Sequence, residues 1–174
     1  MLVAKMNDVV RYDNFFSRKD FMLILEKLKQ PKWEYGHGSY PPGHPERKIP
    51  FWMMHLGDDF FFTEYLLNII EEKTNQKYEL TAVYCNGHTF GTSGNFHQDW
   101  HNDQGRTFLL YANDSWDQEW SGKTVFKTGD TYHYSEFVPN SAILFPGIIP
   151  HKAEGTSRLF LGLRKTIAWK LVLK

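Results

Sequence analysis

Cysteine is nearly absent. Cys85 stands alone in 174 residues, which excludes an intramolecular disulfide and any Cys-based zinc cluster. A charge excess of either sign is missing as well, since 20 Lys+Arg face 20 Asp+Glu. A chain built mainly to hold nucleic acid or an anionic membrane would carry a basic surplus, so neither partner is indicated. The one bias is local: every Lys, Arg, Asp or Glu after Glu154 is basic, from Arg158 to Lys174. No apolar run approaches the ~18 residues of a membrane span, and MLVAKMNDVVRYDN lacks a signal-peptide profile, so a cytoplasmic protein is expected. Repeats, low-complexity tracts and linker-like stretches are also lacking. One domain is expected over residues 1–174.

What is present is a core. Hydrophobic residues make up 41% and aromatics 17%, enough to exclude disorder, and eight His and six Trp stand out. In SRKDFMLILEKLKQP, Phe21, Ile24, Leu25 and Leu28 form the stripe of an amphipathic helix. Ser17 is its expected N-cap and Pro31 its stop. A second helix is expected from about Thr63 to Lys73–Gln76, burying Tyr65, Leu66, Ile69 and Ile70. Between them GHGSYPPGHPERKIP is too rich in Gly and Pro for regular structure. Residues 1–76 are thus expected to be the helical part.

From residue 77 short β-type runs follow one another, including YELTAVYC, FHQDWH, TFLLYAN, KTVFK, SAILF and LRKTIAWKLVL. Asn86-Gly87, Gln104-Gly105, Ser121-Gly122 and Gly129-Asp130 punctuate them. Evenly spaced short strands of this kind argue for a sandwich or barrel. The expected fold class is α+β, mainly β, with the β core over 77–174.

His97-Gln98-Asp99 is a candidate ligand pair. On a strand, residues i and i+2 project from one face, so an imidazole and a carboxylate converge. Two such ligands leave a divalent metal incomplete, and His151, after the apolar run Phe145–Pro150, is the candidate third. Two His and one carboxylate form the facial set of non-heme Fe(II) oxygenases. Strand parity also admits His101 and Asp103, a second His-x-Asp, and spacing cannot choose between the pairs.

Several segments together resemble the prolyl 4-hydroxylase-type branch of the 2-oxoglutarate/Fe(II)-dependent dioxygenases. They are Gly94–Asp99, Thr107–Asn113, Trp116, Trp120–Phe126, Val138-Pro139, Phe145–Gly147, Pro150-His151 and Leu163–Thr166, which span half the chain in order. The resemblance implies a double-stranded β-helix, a jelly-roll or cupin-like barrel, with supporting N-terminal helices. It implies His97, Asp99 and His151 as ligands of Fe(II), because the Gly-Asn-Phe lead-in precedes His97 rather than His101. His101 and Asp103 then fall at the rim.

In such proteins 2-oxoglutarate chelates the iron and needs a cation for its far carboxylate. Arg158 and Arg164 both follow His151. Arg164 fits the family's Arg-x-Ser/Thr pattern, and strand parity places Arg164, Thr166 and Ala168 on one face. Arg158 is expected at the surface. By the same resemblance Tyr111 pairs with the far carboxylate, and Tyr84 can reach the chelating end. The implied activity is that of an oxidoreductase: hydroxylation of a C–H bond in a peptide, prolyl residues included, or in a small molecule. The cosubstrates are 2-oxoglutarate and O2, the products succinate and CO2, and ascorbate the reductant. The rival expectation is a metal-binding barrel with no oxygenase activity. Trp116 and Trp120 are expected to pack a turn, and Cys85 to be a small buried residue.

Overall fold

The computed structural model describes residues 8–40, 43–45 and 49–174. Part of the expected Gly/Pro segment, at 41–42 and 46–48, lies outside them. In chain order the elements are β1 (Val10–Tyr12), α1 (Arg18–Lys27), β2 (Glu34–His37), β3 (Phe51–His55), α2 (Leu66–Thr74) and β4 (Tyr78–His88). There follow β5 (Gly105–Tyr111), β6 (Thr124–Thr128), β7 (Thr131–Ser135), β8 (Ala142–Pro146), β9 (His151–Ala153) and β10 (Arg164–Leu173). Among the described residues, seven strands form one antiparallel sheet in the order β1-β8-β5-β10-β4-β3-β2. A smaller sheet runs β7-β6-β9.

Ser17 caps α1, its hydroxyl accepting the Asp20 N–H at 3.1 Å. Phe21, Ile24, Leu25 and Leu28 are all buried, as their spacing requires. They pack on the outer face of the large sheet against Phe108 and Trp169, whose indole donates to the Phe62 carbonyl at 3.0 Å. The second helix departs from its expected phase. A π-helical turn at Phe61–Tyr65 precedes α2, and a π turn carries one more residue than an α turn. Phe62 therefore joins Leu66 and Ile70 in the core, while Tyr65 is turned outward and donates its hydroxyl to Asp20 at 3.0 Å.

The first half is also less helical than expected, because β1, β2 and β3 all join the large sheet. The edge strands β1 and β2 are too short and exposed to show an apolar alternation. The inner faces of the two sheets meet over Tyr111, Phe126, Phe137, Ile143, Phe145 and Ile149. Parity along β10 sorts its residues. Ile167 and Trp169 enter the helix-side core, whereas Arg164, Thr166, Ala168 and Lys170 face the cavity between the sheets.

Candidate metal centre

His97 does not lie on a regular strand. It meets His151 through one isolated bridge, in which each backbone N–H donates to the other's carbonyl, at 3.1 and 3.0 Å. The expected strand fails here because Trp100 needs room. Its ring lies against Gly105 and Gly147, where an added Cβ would come within 2.0 and 2.2 Å of the indole. The Gly147 carbonyl accepts from both Asp99 N–H (2.8 Å) and Trp100 N–H (3.2 Å) and fixes the turn. Two glycines and a tryptophan thus aim Asp99 back at the two histidines.

The outcome is a compact donor set. One ligand atom each from His97, Asp99 and His151 lies within 4.8 Å of the others. Asp99 Oδ1 is 3.4 Å from His97 Nε2, and Oδ2 is 3.3 Å from His151 Nε2. Each imidazole is held from behind. Nδ1 of His97 lies 2.8 Å from the Asn95 carbonyl, and Nδ1 of His151 lies 2.9 Å from the Ile149 carbonyl. A carbonyl only accepts, so each Nδ1 carries a proton, which leaves Nε2 as the ligand atom for a metal. That donor set suits a divalent first-row metal. Burial works against the Asp99 charge, but Lys170 and His151 outweigh it and hold the carboxyl well below the usual carboxylate range. Burial lowers the proton affinity of His151, with Asp99 opposing. His101 and Asp103 are exposed on a bend and take no part in this cluster.

The cavity containing the triad has a volume of about 590 Å3. Arg164 closes one end of it, 1% exposed. Its Nε donates to the Gly122 carbonyl at 2.6 Å, while Nη1 and Nη2 are buried with no protein hydrogen-bond partner among the described residues. A buried guanidinium fork with two unpaired donors suits a carboxylate. Burial pushes Arg164 down to about 10, which leaves it cationic at neutral pH. Thr166 and Tyr84 line the same cavity. Tyr111 is packed behind it: its hydroxyl donates to the Ser135 carbonyl (3.1 Å) and shares a hydrogen bond with the Thr124 hydroxyl (2.9 Å). Thr124, not Tyr111, is the side chain at the cavity wall. Arg158 is exposed, its guanidinium 5.6 Å from the centre of the Phe90 ring. Trp116 stacks on Phe137 at 3.9 Å and meets Trp120 edge-on, packing a turn as expected.

Two cavity residues were not singled out from the sequence. Lys170 touches Asp99, and its parity with Arg164, Thr166 and Ala168 is the signal that could have found it. His88 faces Arg164 across the β4–β10 ladder, and neither of its ring nitrogens bonds to protein among the described residues.

No family model matches the chain, and no curated protein matches it. Solved structures do match. A prolyl hydroxylase from Trichoplax adhaerens, in complex with a hypoxia inducible factor oxygen degradation domain peptide, superposes with TM-score 0.73 at 16% identity. The match covers 96% of this chain and 84% of that one. A Pseudomonas putida prolyl-4-hydroxylase gives TM-score 0.67 at 13% identity, over 96% and 93% of the two chains. The chain has the double-stranded β-helix fold of the 2-oxoglutarate/Fe(II) oxygenases. HygX from Streptomyces hygroscopicus, with nickel, 2-oxoglutarate and hygromycin B bound, shares it at TM-score 0.66 and 12% identity, over 95% and 82%. Among the described residues no helix is long and apolar enough to cross a membrane.

Proposed function

We propose that the chain is a 2-oxoglutarate- and O2-dependent Fe(II) oxygenase that hydroxylates a C–H bond of a peptide or small molecule. One observation carries the reading. The His97–Asp99–His151 donor set and the unpaired Arg164 fork share a single cavity between the sheets. A barrel that only bound metal would have no use for a buried guanidinium directed into its site.

Each residue then has a task. His97 and His151 offer Nε2 and Asp99 a carboxylate oxygen to Fe(II). Arg164 holds the far carboxylate of 2-oxoglutarate through Nη1 and Nη2, with the Thr124 and Thr166 hydroxyls beside it. Tyr84 serves the other end. Bound Fe(II) supplies O2 activation and C–H oxidation, coupled to conversion of 2-oxoglutarate to succinate and CO2. The protein contributes ligand placement, the carboxylate anchor and exclusion of bulk water.

A relative of the same fold carries a protein-derived peptide and another carries hygromycin B, so both a peptide, prolyl residues included, and a small molecule fit. The test precedes knowledge of the substrate. Anaerobic Fe(II) and 2-oxoglutarate should give the weak visible absorption of a chelate. Added O2 and ascorbate should then release succinate slowly. Metal binding without any affinity for 2-oxoglutarate would leave only the metal-binding barrel.

A further inference from the structure

Lys170 is the cation nearest the triad, and sequence and packing both put it there. The side chain is 13% exposed and that of Asp99 is 6% exposed. The ammonium contacts Asp99 Oδ2, sits 3.4 Å from Thr107 Oγ1 and lies 5.8 Å from the centre of the Tyr84 ring. Thr107 donates its own hydroxyl to the same Oδ2 at 2.6 Å. The ladder with β4 is interrupted at this point. Lys170 faces Ala82 and Leu171 faces Leu80, so Thr81 is an extra residue, and its hydroxyl donates to the Lys170 carbonyl at 3.0 Å. Bulges of this kind re-aim side chains beside functional sites.

The charges at this cluster sum in a telling way. With both imidazoles neutral, Asp99 and Lys170 cancel. A divalent metal taken up by Asp99 would leave an ammonium and a dication together in a buried cluster, with no further anion among its described neighbours. Like charges in a poorly solvated site oppose one another strongly. An anion that entered with the metal would remove the conflict, and a 2-oxo acid brings one in its chelating carboxylate.

We propose that Lys170 makes the metal and the oxo acid load as a pair. With no metal held, it is the counter-ion of Asp99 and opposes a divalent metal arriving alone. With both present, it is the ammonium partner of the chelating carboxylate. Arg164, six residues earlier on the same face of β10, takes the far one. The inference rests on the oxo-acid reading above. It also makes the coupling reciprocal, since whatever the oxo acid does for metal affinity the metal must do for the oxo acid.

Mn(II) binding to the full chain tests it, by calorimetry with and without saturating 2-oxoglutarate, in wild type, Lys170→Met and Lys170→Arg. Lys170→Met should bind Mn(II) alone at least tenfold more tightly than wild type, because a repelling charge is gone. The tightening produced by 2-oxoglutarate should shrink at least tenfold in that variant. Lys170→Arg keeps the charge and should stay within threefold of wild type in Mn(II) affinity. A merely structural lysine would give the opposite order, with Lys170→Met binding metal no better or worse. That result overturns the proposal, as does a charge-keeping Lys170→Arg as tight as Lys170→Met. Lys170→Gln repeats the comparison with a polar, uncharged side chain should the methionine variant not fold. A wild type whose Mn(II) affinity ignores 2-oxoglutarate overturns the pairing through the oxygenase reading. A normal wild-type response with an unchanged Lys170→Met overturns the role of Lys170 alone.

Discussion

Gly122 and Arg164 are in such close contact that neither position tolerates much change. The Arg164 Nε donates to the Gly122 carbonyl at 2.6 Å, and a Cβ on Gly122 would lie 3.1 Å from Arg164 Cδ and 2.9 Å from the Trp116 ring. Gly122 also has φ +82°, in the left-handed region that L side chains avoid. This glycine orients the guanidinium: with Nε tied to the backbone, Nη1 and Nη2 are turned to the cavity.

Gly122→Ala should therefore act twice. The left-handed backbone alone costs about 1–2 kcal/mol in folding stability. The methyl must also displace the Arg164 stem, so 2-oxoglutarate affinity should fall with it. Urea unfolding and anaerobic 2-oxoglutarate titration separate the two effects. Lowered stability with unchanged affinity would mean that Arg164 does not depend on this contact.

The anchor itself is decided by two arginine variants. A bidentate charge-assisted pair in a buried site contributes ~1.5–3 kcal/mol, about one to two decades of affinity. Arg164→Met keeps an apolar stem and should lose 2-oxoglutarate affinity by that order. Arg164→Lys should recover part of it, restoring charge without the fork. Arg158→Met should change little, because an exposed charge is worth under ~1 kcal/mol. A crippled Arg158→Met with a sound Arg164→Met would transfer the anchor to Arg158.

Metal binding distinguishes the two His-x-Asp pairs. His97→Ala, Asp99→Ala and His151→Ala should each lose at least about tenfold in Fe(II) or Co(II) affinity, since even groups behind the ligands are worth 10–100-fold. His101→Ala and Asp103→Ala, both exposed, should keep wild-type affinity. Loss in His101→Ala with retention in His97→Ala would shift the site by four residues.

These contrasts trace what the sequence could reveal. The stripe of α1 and the parity of β10 were legible because burial selects apolar residues at fixed periods. The convergence of His97, Asp99 and His151 was suggested by the lead-in and motif order, although the supposed strand is a bridged turn shaped by Trp100 against Gly105 and Gly147, glycines that carry no side-chain signal. The phase of α2 was hidden because a π turn leaves no periodic mark. The resemblance gave Tyr111 a bond to the far carboxylate of 2-oxoglutarate, whereas in the structure its hydroxyl bonds to the Ser135 carbonyl and the Thr124 hydroxyl, partners that only the fold brings near. Lys170 escaped because the face was read as ending at Ala168, two residues short.

His88 offers a pH test that stands apart from the metal. Its ring packs on Phe51 with centroids 4.3 Å apart, and it is 2% exposed. Burial, then the Arg164 charge, then His37 hold its proton affinity well below the ordinary value. In the unfolded chain the same imidazole takes a proton near pH 6.5. Below that pH the unfolded state binds a proton that the folded state refuses, so stability falls as pH falls; above it His88 adds no slope. The ceiling for one such group is about 1.4 kcal/mol per pH unit. His151, also lowered, adds to the same slope when no metal is held. Urea unfolding with a chelator should show the wild type losing stability between pH 7.5 and 5.5, and His88→Gln losing about 1 kcal/mol less. Equal losses in the two proteins would mean that the fold does not exclude a proton from His88.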